Sequence, residues 1–291
     1  MTVYNFGSIN ADYFYQVPHI PAPGETLAAT GLDQGLGGKG ANQSVAMVQA
    51  GADLVHLGAV GRDGDWLLER LVSLGVADDA IARLPCASGH AIITVAADGE
   101  NAITIYSGAN TAMSEAQLTE WLLPVREGDW LVMQNETAHQ RHAARLARSQ
   151  GARVVYSAAP FEAKAAVEVL PFVNILCMNE QEAKALQQAL RISSMASLGL
   201  DGMLITYGSK GAVYHDFSAD QLFEVSGIPV TPVDTTGAGD TFCGYFIGRL
   251  SLGEDPQTAL TCANRAAALK VMWPGTADAI PSLQEVMDFG G

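Results

Sequence analysis

Trp130-Leu131-Val132-Met133-Gln134, then residues 137–150 with helical periodicity, then Arg153-Val154-Val155-Tyr156-Ser157: this stretch reads as strand, helix, strand. The two strands are apolar almost throughout, which suits a sheet covered on both faces. Working outward, residues 3–8, 54–60, 173–178 and 203–207 read as further strands. Residues 41–50, 64–74, 114–122 and 180–190 carry helical periodicity. Strands alternating with helices predict an α/β fold in three αβα layers, with a mostly parallel central sheet.

Two segments break the alternation. Residues 12–17 and 26–34 form one expected antiparallel ribbon, joined through Pro18, Pro21 and Pro23. Residues 89–96 and 101–106 form the other, around a turn at Asp98-Gly99, with Ile103 and Ile105 alternating with Thr104 and Tyr106. They call for a separate small β-sheet, a lid made of about 11–35 and 87–107. An exposed apolar ribbon also offers a homodimer surface. No linker is long or polar enough to divide the chain, so residues 1–291 are expected to form a single domain.

Apolar residues make up 48% of the 291 and charged residues 16%, a balance that fills a large core. Sixteen Lys and Arg stand against 31 Asp and Glu, a formal net charge of −15. Such a surface repels nucleic acid and anionic membranes. No apolar run reaches the roughly 18 to 20 residues that span a bilayer, and no secretory signal is visible at Met1. Cys86, Cys177, Cys243 and Cys262 lie far apart with no C-x-x-C pair, so they read as reduced thiols in a cytoplasmic protein.

Gly35-Leu36-Gly37-Gly38-Lys39-Gly40 fits the string G-x-G-x-x-G and opens a helix. It follows the proline-rich ribbon instead of the first strand, and no acidic residue ends a second strand about 20 residues on, as a dinucleotide site needs. Val233-Asp234-Thr235-Thr236-Gly237-Ala238-Gly239-Asp240-Thr241-Phe242 is more telling. It follows a short strand expected to end near Val230 and leads into a helix with Phe242, Phe246 and Leu250 on one side. Gly237, Ala238 and Gly239 leave backbone N–H groups unscreened at the helix N-terminus, an anion hole for a transferring phosphoryl group. Asp240, in the same turn, reaches whatever faces them. A plain helix cap explains the aspartate but not the small residues before it.

Here the chain resembles the ribokinase (PfkB-type carbohydrate kinase) family. Gly237-Ala238-Gly239-Asp240-Thr241-Phe242 is similar to its C-terminal signature and Gly37-Gly38-Lys39-Gly40-Ala41-Asn42-Gln43 to its N-terminal one. Ser8-Ile9-Asn10-Ala11-Asp12, Pro23-Gly24-Glu25-Thr26, Ser107-Gly108-Ala109-Asn110, Asn179-Glu180-Gln181-Glu182 and Thr206-Tyr207-Gly208-Ser209-Lys210-Gly211 match in the family's order. The resemblance implies a ribokinase-like fold with a small β lid, and ATP-dependent phosphorylation of a pentose, ribose first. It implies Asp240 as the base, and Asn10, Asp12, Gly38, Lys39, Asn42 and Glu136 around the sugar hydroxyls. Asn179, Thr206, Gly208, Ser209, Gly211, Gly239 and Asn264 would lie along the nucleotide, with Glu182 reaching Mg2+ through water. Asp234 and Thr236, with the carbonyls of Lys270, Trp273 and Gly275, match the family's loop for a monovalent cation, K+.

The chain departs from the pattern at Ser157-Ala158-Ala159-Pro160, where the family carries Asn-Pro-Ala-Pro. It is short between Glu182 and Met203, and Ala279 lacks a hydroxyl that serves the cation loop. Rival readings are a kinase of another sugar or a nucleoside, a catalytically silent sugar-binding protein, and a dinucleotide-dependent oxidoreductase.

Overall fold

The computed structural model describes residues 1–289. Strands β1 (Val3–Phe6), β2 (Asn10–Val17) and β3 (Gly31–Gly37) come first, before α1 (Lys39–Gln49), β4 (Leu54–Val60), α2 (Asp65–Ser73) and β5 (Ile81–Arg83). Next are β6 (Gly89–Ala96), β7 (Asn101–Tyr106), α3 (Glu115–Leu122), β8 (Trp130–Gln134), α4 (Gln140–Ser149) and β9 (Arg153–Ser157). Then come α5 (Ala163–Val169), β10 (Ile175–Asn179), α6 (Glu180–Leu190), β11 (Gly202–Thr206), β12 (Gly211–Asp216) and β13 (Gln221–Ser226). Helices α7 (Ala238–Ser251), α8 (Pro256–Lys270) and α9 (Leu283–Asp288) follow.

Nine strands form one sheet in the order β13-β12-β11-β10-β9-β8-β1-β4-β5. Pairing is parallel from β11 to β5, and antiparallel only in the β11-β12-β13 meander at one edge. Strand side chains alternate between two cores, as the two-residue period of a strand requires. Val3, Trp130, Val132, Val155 and Ile175 pack with residues of α1, α2, α7, α8 and α9. Tyr4, Leu131, Met133, Val154, Tyr156 and Leu176 pack with residues of α3 to α6. Both faces of the sheet are covered, in agreement with the αβα expectation.

The strand order reverses at β1. The chain builds β4 and β5 on one side of it, then β8 to β11 on the other. Such a switch point opens a crevice at the carboxyl ends of the strands, where ligands of open α/β sheets bind. Ser8 follows β1 there and Glu136 follows β8. Helix α7 reaches the same place because it packs tightly on α1. A Cβ on Gly244 would lie 2.5 Å from Cβ of Ala46, and one on Gly248 would lie 3.0 Å from Cβ of Ala50.

The second sheet has the order β3-β2-β6-β7. Each expected ribbon is antiparallel, and parallel pairing of β2 with β6 along Asn10–Val17 joins them. Its position differs in one respect: the strand expected at 26–34 is Gly31–Gly37. Prolines and Gly24 (φ +84°) keep the connection in turns until the ladder with β2 begins at Gln16 and Gly31. No strand ends near Val230. Pro229 and Pro232 interrupt that segment, and proline has no N–H for a ladder. Strand β5 and the hairpin of β12 and β13 were not foreseen. The short link after α6 holds one 3-10 turn, Met195–Leu198. Among the described residues no helix is long and apolar enough to cross a membrane.

Candidate active site

At the switch point, Glu136 accepts from the Lys39 backbone N–H at 3.0 Å and from the Ser8 hydroxyl. A carboxylate at the first turn of α1 is favoured by the helix's exposed amides. The Ala41 N–H donates to the Ser8 carbonyl at 2.8 Å, binding α1 to the end of β1. Gly38 makes the join possible: its φ is +93°, and a Cβ there would lie 2.9 Å from Asn10 N and Ser8 O.

Asp12 lies on β2 and is 7% exposed. A Cβ on Gly37 would fall 1.9 Å from its carboxylate, so glycine lets β3 pass close by. Burial pushes the Asp12 carboxyl up to about 7; Glu136 adds to the effect and Lys39 opposes it. Asn10 is also buried, and its Oδ1 accepts from Asn110 Nδ2 at 2.7 Å. Asn110 in turn accepts from the Ile9 N–H at 2.9 Å. This fixes the Asn10 amide so that its NH2 group remains to donate. Asn110 was not among the expected site residues, although the Ser107–Asn110 motif that contains it stood out in the sequence.

Asp240 sits at the third position of α7, 8% exposed. Oδ2 accepts from Asn42 Nδ2 at 3.0 Å and Oδ1 from Gln43 Nε2 at 3.1 Å. Asn42 therefore turns its NH2 group to the aspartate, while its Oδ1 is buried with no partner and stays available to another donor. Lys39 is held protonated, above the ordinary lysine range, chiefly by Asp240 and then by Glu136 and Glu182 against its own burial. Of the three amides expected in the anion hole, that of Ala238 is tied to the Thr235 carbonyl at 3.2 Å, while those of Gly237 and Gly239, and of Asp240 after them, have no partner among the described residues.

Two cavities meet at this turn. One, of about 500 Å³, is lined by Thr206, Gly208, Ser209, Gly211, Gly239 and Asn264, six of the seven residues expected along a nucleotide. Its apolar walls are Phe242 of the C-terminal signature and Ile228, Pro229, Val230, Ala267 and Val271, which were not expected at the site because they form no motif. The other, of about 160 Å³, is lined by Lys39, Asn179, Glu182, Gly237, Gly239 and Asp240. Thr206 and Gly239 border both. Ser157 and Ala159 of the departing motif also line the smaller cavity, as do Cys177 and Cys243. The size and apolar lining of the larger cavity suit a purine nucleoside, and the smaller one puts lysine and helix amides where phosphates would follow.

Asn179 and Glu182 form a capping box on α6. Asn179 Oδ1 accepts from Glu182 N at 2.9 Å and Glu182 Oε2 from Asn179 N at 2.8 Å. Burial raises the Glu182 carboxyl. Among the described residues no group of three His, Cys, Asp or Glu is placed to hold a metal ion. That donor set fits magnesium arriving on nucleotide phosphates with most of its waters, since such ions take few protein ligands.

The loop before α7 is tied to the end of α8. Asp234 accepts from the N–H groups of Thr236 at 2.9 Å and Gly275 at 3.0 Å. Its main-chain carbonyl accepts from Lys270 Nζ at 2.9 Å. Val271 O takes the amides of both Val233 and Asp234, at 2.7 and 3.1 Å. The Lys270 carbonyl accepts from Trp273 N at 3.1 Å. Asp234, Thr236, Lys270 and Gly275 thus come together, with Trp273 exposed beside them, but an ammonium already stands among them.

The pattern of the pfkB family of carbohydrate kinases matches residues 2–283. A ribokinase of Haemophilus influenzae is 33% identical over 297 residues, covering 97% of this chain and 96% of the relative. A deoxyribokinase of Salmonella typhimurium is 30% identical, covering 99% and 98%. The structure of Arabidopsis thaliana ribokinase complexed with ribose and ATP superposes with a TM-score of 0.84 at 27% identity, over 99% of this chain and 97% of that one.

Proposed function

This chain belongs to the pfkB family of carbohydrate kinases, and we propose that it transfers the γ-phosphoryl group of ATP to the terminal hydroxymethyl oxygen of a pentose, ribose above others. The observation that carries this reading is the place of Asp240. Its buried carboxylate is gripped through both oxygens by Asn42 and Gln43, beside Lys39 and the Gly239 amide. A pentose fits the far side of Asp240, where Asp12 and Glu136 accept from hydroxyls and Asn10 and Lys39 donate, with Gly38 admitting the ring.

Asp240 takes the proton of the hydroxymethyl group as its oxygen attacks the γ-phosphorus in line. The amides of Gly239 and Asp240, together with the Lys39 ammonium, stabilise charge on the transferring oxygens. Thr206, Gly208, Ser209, Gly211 and Asn264 line the nucleoside side, and Asn179 the phosphate side. Magnesium bound by the phosphates, with Glu182 holding one of its waters, would neutralise the β,γ-oxygens. The small sheet, about 11–35 and 87–107 of a single-domain chain, acts as the lid that excludes water. Ile103, Ile105 and Tyr106 are exposed on its edge strand β7, which supports a homodimer built through the lid. The cytoplasm, where ATP and free pentose meet, is the expected compartment.

The test is ADP release with Mg-ATP across ribose, deoxyribose, fructose and nucleosides. Turnover highest with ribose supports the reading. Highest turnover with deoxyribose moves the substrate but keeps the chemistry. Sugar binding without turnover turns the protein into a silent sensor.

A further inference from the structure

We propose that the Lys270 ammonium is the built-in cation of the loop that positions Gly239 and Asp240, so that turnover does not need the monovalent metal ion implied at Asp234. The proposal rests on the sugar-kinase reading above.

Lys270 ends α8 and is 0% exposed, the only lysine among the large, fully buried side chains of the described residues. A lysine is almost never buried that completely without a partner. Its partner is the Asp234 carbonyl, 2.9 Å from Nζ; burial pulls the ammonium below the ordinary lysine range, and the carboxylates of Asp234 and then Asp240 work against that to keep the charge. From Asp234 the chain needs three residues to reach Gly237, the N-cap of α7 at φ +75°. The Thr235 carbonyl holds the Ala238 amide in between. Whatever fixes Asp234 therefore fixes the turn whose next amides face the phosphate cavity.

Potassium at this loop would do the same work: it would draw carbonyl oxygens and one carboxylate around a single positive charge. Here the donor set does not fit it well. The Lys270 carbonyl already accepts from Trp273, both Asp234 carboxylate oxygens already accept amides, and Ala279 has no side-chain oxygen to add. An arriving ion would also meet the ammonium across a buried, weakly screened gap. The simpler role for Lys270 is to cap the carbonyl end of α8, where a cation is favoured in any helix. A cap alone predicts a loss of stability on substitution, and no dependence on the salt's cation.

The experiment is turnover of ribose with Mg-ATP in choline chloride, with potassium exchanged in at constant ionic strength. The melting midpoint is followed in the same solutions. Coupled ligands in allosteric systems change one another's affinity by about 5- to 150-fold, and wild-type turnover is expected to change by less than about twofold on adding potassium, below that range. Lys270→Met is expected to lose most of its turnover in choline. Potassium or ammonium should restore it several-fold and raise the variant's melting midpoint without moving that of wild type. Several-fold activation of wild type by potassium overturns the proposal, and so does a Lys270→Met enzyme that is fully active in choline. Should Lys270→Met fail to fold, the wild-type titration decides alone. If wild type turns over no sugar in either salt, the kinase reading has failed, and the melting comparison still judges the loop.

Discussion

Gln43 donates its side-chain amide to Oδ1 of Asp240 at 3.1 Å, across 197 positions of chain. Its own Oε1 accepts from Gln134 Nε2 at 2.8 Å, and Gln134 also donates to Asn5 Oδ1 at 2.8 Å. The proposed base is thus braced by a buried polar chain running from α1 through β8 to β1. The amide of Gln134 serves both neighbours, while its Oε1 is buried without a partner, so the network is one acceptor short of full satisfaction.

Gln43→Leu removes the brace and leaves the carboxylate in place. A hydrogen bond to a charged group is worth about 1.5–3 kcal/mol, so turnover should fall by about tenfold or more. The Michaelis constant for sugar should change less, because Gln43 faces the aspartate and not the pentose side. Steady-state kinetics separate the two, and an unchanged turnover number removes Gln43 from the positioning role.

Asp240→Asn keeps the shape and removes the proton acceptor. General-base catalysis typically contributes about 10²- to 10⁴-fold, and a loss of at least that size is expected. Calorimetric titration should still show ribose binding. Near-normal turnover in this variant would end the assignment of the base.

Asp12 predicts a pH dependence whose sign follows from its carboxyl standing at about 7 in the folded protein, raised from 3.8 by burial and then Glu136. Between those values the folded state keeps a proton that the unfolded state has released. The Asp12 contribution to stability is therefore full below about 3.8, declines as pH rises, and is lost above about 7. Relative to Asp12→Asn, wild type should melt progressively lower as pH rises through that window. The ionised form accepts hydroxyls best, so kcat/KM for sugar should rise through about pH 7 in wild type. A profile identical in Asp12→Asn would place the titration elsewhere.

Gly239→Val tests the phosphate cavity without disturbing the core. No atom lies within 4 Å of where its Cβ would stand, and the residue borders both cavities. The fold should tolerate the change, because valine is a better helix former than glycine at this position in α7, while the Michaelis constant for ATP rises strongly. Equal ATP affinity in the variant would mean that phosphates do not approach this turn.

Ile103 and Ile105 are 55% and 58% exposed on the edge strand of the small sheet. Charging that face with Ile103→Asp and Ile105→Asp should convert a dimer to monomer. Light scattering after gel filtration reads the mass directly. A wild-type mass of one chain would remove the lid interface.

The sequence spoke clearly where one residue type has few substitutes. Gly38 at φ +93°, Gly37 against Asp12 and Gly237 at the N-cap of α7 stand in motifs because a side chain would strain or collide there. The apolar wall of the larger cavity was silent. Ile228, Pro229, Val230 and Val271 are ordinary residues that become a wall only when the segment after β13 folds beside α8. Asn110 and Gln43 lay inside quoted motifs, yet their roles depend on partners 100 and 197 positions away.

By itself the sequence determined the alternation of strands and helices, the two-sided burial of the sheet, the separate ribbons and the acid at the first turn of α7. Periodicity and glycine sterics act over a few residues, so a linear reading reaches them. Tertiary structure alone decided which atoms of Asn42 and Asp240 face each other, which amides stay open, and that a lysine stands by the Asp234 carbonyl. Lys270 looks like any helix-ending lysine in the chain. Only the packing of the 233–236 loop against the end of α8 removes it from water and brings its charge to Asp234.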